Sequence, residues 1–82
     1  MKAIIDILYL EEYKLLLLLN TGRETIVNLE KTLEAPAFES LKEKKNFSKF
    51  VMMNGAIAWS NGTDLKHEYL LNMIEEEIKV AA

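Results

Sequence analysis

A chain of 82 residues, half of them apolar and with a net charge of -3, is read as one small domain, residues 1–82, whose core must supply nearly all of its stability. The absence of cysteine excludes disulfides, thiol nucleophiles and cysteine-held zinc or iron–sulfur centres. The acidic balance disfavours sequence-independent binding to a phosphate backbone.

The first residues, "MKAIIDILYLEEYK", carry a lysine and an apolar run. Asp6 interrupts that run and no small-residue cleavage site follows, which is unlike a secretory signal. The leucine run at 15–19 is far short of the ~20 residues that span a bilayer. A cytoplasmic protein is expected, with no membrane association.

In chain order, residues 3–10 and 13–19 read as two strands, with Glu11 and Glu12 forming the turn between them. Leucine favours helix, but a lone seven-residue helix would be marginal, so strand is preferred for 13–19. Gly22 in "NTG" suits a second turn, and "RETIVNL" alternates into a third strand. The result is a three-stranded antiparallel meander. In its middle strand Tyr13, Leu15, Leu17 and Leu19 point one way while Leu16 and Leu18 point the other. A sheet apolar on both faces calls for cover on both.

Residues 30–50 read as short helical turns around Pro36, with Leu41, Phe47 and Phe50 as buried anchors and the lysines in water. Residues 50–53 and 56–59 form a second β-hairpin through Asn54-Gly55, the strongest short hairpin signal in the chain. From residue 64 or 65 to 79 the period becomes 3.6, with Leu70, Leu71, Ile74 and Ile78 on one stripe, which predicts a C-terminal helix. Asp64 or Thr63 is its expected N-cap. The fold class is therefore α+β.

Several of these segments carry a resemblance to a known family. Gly22 is followed by the Asn28-Leu29 pair, Phe38 stands three residues before Leu41, Phe47 and Phe50 come next, and "WSNGTDL" occupies residues 59–65. In these features, over roughly residues 3–71, the chain resembles the bacterial domain of unknown function 2442 family. It departs from the family pattern after Trp59, where Ser60 replaces the usual Pro, and at the last helix, which opens on Lys66-His67 rather than on Ser and Pro. The resemblance implies a small α+β protein, frequently encoded beside another small protein in an arrangement reminiscent of toxin–antitoxin pairs. Some relatives carry an added helix-turn-helix domain, for which no room is expected after residue 82. The family offers no catalytic residues to carry over.

The polar clusters admit chemical readings, each with a plainer alternative. Ser60, Asp64 and His67 are the residue types of a hydrolase triad, yet a triad needs its members to converge from separate elements, and eight residues leading into a helix rarely allow it. Asp64, His67 and Glu68 could be offered to a metal. A helix N-terminus that favours acidic groups explains the same residues. Lys42, Lys44, Lys45 and Lys49 interleave with Phe47 and Phe50 in the composition of a single-strand binder, but Glu39 and Glu43 dilute the charge and the phenylalanines suit a core. Asn61 and Gly62 then supply a turn, and Trp59 is a core anchor whose indole N–H needs a partner.

What remains is an excess of apolar surface, which points to self-association or a protein partner. Leu16, Leu18 and Ile26, on the even-numbered face of the meander, are the expected interaction residues. No enzymatic activity, cofactor, metal or small-molecule substrate is expected. The alternative function is nucleic-acid binding through Lys42, Lys44, Lys45 and Lys49.

Overall fold

A computed structural model of the protein describes residues 3–81, with side chains through residue 74. β1 (Ile4–Glu11), β2 (Lys14–Leu19) and β3 (Glu24–Asn28) form one antiparallel sheet in the order β1-β2-β3. Two 3₁₀ segments, Thr32–Glu34 and Pro36–Lys42, lead to a single turn of helix, α1 (Lys44–Phe47). Then β4 (Val51–Met53), β5 (Ala56–Ala58) and β6 (Asp64–Lys66) make a second three-stranded antiparallel sheet, and α2 (His67–Ala81) closes the fold. This is the α+β architecture that the alternation and helical periodicity predict.

The register of the first sheet follows from its apolar pattern, because slipping by one residue would turn every buried side chain to the other face. Leu17 lies between Ile7 and Thr25, and Leu15 between Tyr9 and Val27. These residues share the buried face with Ile4 and Leu19, and Leu15, Leu17 and Val27 are completely buried. Two irregularities interrupt β1, between Ile4 and Asp6 and between Tyr9 and Glu11. They insert extra residues, Ile5 and Leu10, that the period-2 pattern does not anticipate.

The turns deviate from expectation in instructive ways. Glu11 is still paired with Lys14, so the first turn is Glu12-Tyr13, one residue later than expected, with Glu12 at φ 51. Asn54-Gly55 does join β4 to β5, but only Gly55 has positive φ there, which differs from the type I′ turn favoured for Asn-Gly. The loops at 19–23 and 59–63 share one design. In each the first residue donates its N–H to the carbonyl of the fifth (Leu19 to Arg23, Trp59 to Thr63, both 2.9 Å), and the glycine at the fourth position donates back to the first. Gly22 and Gly62 both sit at φ 89, the left-handed conformation that ends a three-residue hairpin loop.

One expectation fails at the start of α2. Asp64 does not cap the helix. It lies in β6 opposite Ala58, with Leu65 opposite Ile57 and Lys66 opposite Ala56. The helix begins at His67, whose backbone N–H donates to the Gly55 carbonyl at 2.8 Å, so the hairpin rather than a carboxylate satisfies that donor. Of the anticipated stripe, Leu70 and Ile74 are buried and Leu71 half-buried, while Ile78 lies outside the described side chains.

The two sheets meet through Phe47. Its fully buried ring lies edge-on to Tyr9 and Tyr13, with centroids at 6.0 and 5.5 Å, and stacks on Trp59 at 6.0 Å. The Trp59 indole donates to the Phe47 carbonyl at 2.8 Å, supplying the partner that a buried indole needs. Leu33 and Leu41 join the same core, whereas Phe50 is only partly buried.

Candidate interaction face

The opposite face of the first sheet is built from three cross-strand rows. Asp6, Leu18 and Glu24 form one end; Leu8, Leu16 and Ile26 form the middle; Glu11, Lys14 and Asn28 form the other end. Alternation places these side chains away from the core. Leu8 is 55% exposed and Ile26 52%, and the bulge residue Ile5 is 56% exposed. Leu16 and Leu18, flanked on both sides by neighbouring strands, are half-buried. The face expected to need cover is thus open, with Leu16 and Ile26 directly paired and Leu18 one row away.

Ile5 and Leu10 are also exposed, but as the extra residues of the two irregularities in β1 they are not placed by strict alternation. Alternation from Ile7 already turns Leu8 to this face, but the Glu12-Tyr13 turn alone would set it opposite Leu17, and the extra residue Leu10 is what moves it to Leu16. Asp6 and Glu24 supply the acidic end, and the Asp6 carboxylate also accepts from the Ile7 N–H at 2.9 Å.

The other sequence candidates are placed differently. Asn61 is a turn residue: its side-chain oxygen accepts from the Thr63 N–H at 3.1 Å, and its amide donates to the Ser40 hydroxyl at 2.6 Å. Trp59, Asn61 and Gly62 therefore tie the 59–63 loop to the core and to the helical segment. Asp64 points outward from β6.

Ser60 and Asp64 are exposed, and among the described residues no hydrogen bond joins Ser60, Asp64 and His67. Asp64 and Glu68 line a shallow depression together with Leu65, Lys66, Tyr69 and Asn72, and His67 is not part of its lining. No group of three or more His, Asp or Glu side chains is arranged to hold a metal among the described residues. The His67 ring turns instead toward the Ala56 backbone. Its Nε2 is buried without a hydrogen-bond partner, and burial holds its pKa below the ordinary 6.5 while the Ala56 contact opposes that shift.

In the lysine segment, Lys42, Lys44, Lys45 and Lys49 are all exposed. Phe47 is fully buried and cannot stack on a base. Lys44 is paired with Glu12 at 2.6 Å, and the hydrogen bond and charge of that carboxylate raise its pKa. The Tyr13 hydroxyl donates to the Lys42 carbonyl, fastening the same segment to the first hairpin. Among the described residues no helix is long and apolar enough to cross a membrane.

Comparison with known proteins adds one assignment. No curated protein and no solved structure matches the chain. The model of a protein family of unknown function, DUF2442, matches residues 4–76, which takes in both sheets and most of the final helix. The chain that folds this open-faced sheet is therefore a member of the DUF2442 family.

Proposed function

We propose that the protein works by binding another protein through the open face of β1–β3. The observation that carries this reading is the apolar row Leu8, Leu16 and Ile26, flanked by Leu18, on a sheet whose other face is filled. Contiguous exposed apolar surface rimmed by polar groups is characteristic of interaction sites. A cytoplasmic, non-enzymatic regulatory module fits this surface, and the antitoxin-like half of a two-protein pair is the specific form proposed.

The test compares the tagged wild type with an Ile26→Glu variant, each recovered from nuclease-treated lysate of its native cells. Ile26 is more than half exposed, so the variant should keep the wild-type melting temperature within a few degrees. A protein retained stoichiometrically by the wild type and lost by the variant supports the proposal. Equal retention by both proteins, or no retained protein with either, counts against it.

A further inference from the structure

We infer that the open face of β1–β3 receives a basic amphipathic helix from another protein, rather than a second copy of this chain. The inference rests on reading that face as a binding surface and names its occupant.

Charge decides against the second copy. A symmetric face-to-face pair has its two-fold axis in the plane between the sheets, so each residue's mate is set by the axis direction. With the axis along the strands, β1 lies over the partner's β3, and Asp6 faces Glu24. With the axis across the strands, β1 lies over β1 in reverse, and Asp6 faces Glu11. Both arrangements set carboxylate against carboxylate, a like-charge juxtaposition that works against the wrong partner. The four charged residues in the end rows are Asp6, Glu24, Glu11 and Lys14, so the rim is acidic on balance and complements a basic partner.

Size leads to the same occupant. Three strands at ~4.8 Å spacing make a face about 10 Å across, and the four-residue step between its end rows spans about 13 Å. A helix is about 10–12 Å in diameter and rises ~5.4 Å per turn. Two to three turns laid along the strands, bearing an i, i+3/i+4, i+7 apolar stripe, thus span the face from one end row to the other. The resulting footprint is a few hundred Å², well below the ~800 Å² per partner of a standard stable interface. The two carboxylates at one end, Asp6 and Glu24, flank Leu18. Lys or Arg side chains at the corresponding end of the helix would extend past its apolar stripe to reach them.

The test uses the full chain, isotope-labelled for NMR, and two synthetic helical peptides with the same leucine stripe. One carries lysine on its polar positions and the other glutamate. The leucine–lysine peptide should shift the amides of Leu8, Leu16, Leu18 and Ile26 and bind at least ten-fold tighter than the leucine–glutamate peptide. An Asp6→Lys, Glu24→Lys double variant should reverse that preference. A control double variant, Glu34→Lys and Glu39→Lys, makes the same charge change at exposed sites on the helical segment and should not reverse it.

Equal affinity for both peptides, shifts confined to another surface, or reversal by the control variant would overturn the inference. Concentration-dependent broadening of the same four amides without peptide would make a second copy the occupant and also overturn it. If neither peptide binds while Ile26→Glu still loses a cellular partner, the face remains a binding surface and only the helical occupant is wrong.

Discussion

Trp59 combines volume and a hydrogen bond, and two substitutions separate them. Trp59→Ala removes a nearly buried aromatic side chain and should cost about 3–5 kcal/mol, enough to unfold a domain of this size at room temperature. Trp59→Phe retains most of the stack on Phe47 but leaves the Phe47 carbonyl without its donor, and should cost about 1–3 kcal/mol. Denaturant unfolding followed by circular dichroism distinguishes them.

His67 gives a pH-dependent prediction. Its charged form is disfavoured in the folded state, so the unfolded chain takes up the proton first as pH falls. The stability linked to this neutral histidine is complete above about pH 6.5, its unfolded value. That stability is lost as pH drops toward the lower folded value. Thermal melts at pH 7.5 and 5.0 should show the wild type losing stability relative to His67→Gln, and a constant difference between them would refute this. The role of Trp59 as an anchor needing a partner was legible from residue type alone. Which carbonyl would serve it was not, because Phe47 is brought there by the whole intervening segment.

At the scale of elements, the strand at 13–19 and the hairpin around Gly55 were legible because local pattern and tertiary demand agree there. The strand Asp64–Lys66 was not. Three residues are too few to show a period, and they form a strand only because β5 offers them a ladder. The acid before an apolar run looked like a helix cap for that reason. Asp64→Ala should accordingly change stability by less than about 0.5 kcal/mol, as at an ordinary exposed position, instead of the ~1 kcal/mol lost with a cap.

The first turn makes the opposite prediction. Glu12 occupies a left-handed conformation that costs a residue with a Cβ roughly 1 kcal/mol, and asparagine tolerates it better. Its ion pair with Lys44 is exposed on both sides and contributes little. Glu12→Asn should therefore raise the melting temperature by a few degrees, measured by calorimetry, whereas a lower temperature would mean that the Lys44 contact outweighs the backbone strain.

Over the whole molecule, one apolar cluster runs from Ile4 to Ile74 and includes residues of both sheets. The sequence indicated a middle strand greasy on both faces, and counting apolar residues could not tell which face would be filled. Odd-numbered leucines meet the aromatic cluster and α2's side of the core; even-numbered ones meet nothing comparable. That outcome depends on where Phe47 and Trp59 arrive, which is a property of chain topology. The separation also lets the exposed face be altered independently of the core, since Ile26 lies outside the cluster.

The single tryptophan makes this separation optically readable. Its indole is nearly buried, stacked on Phe47 and hydrogen-bonded to the Phe47 carbonyl. Its emission should remain blue-shifted while the domain is intact and move to longer wavelength when the aromatic junction opens. Occupancy of the far side of β1–β3 should leave it unchanged, so fluorescence can certify every surface variant as folded before its binding is measured.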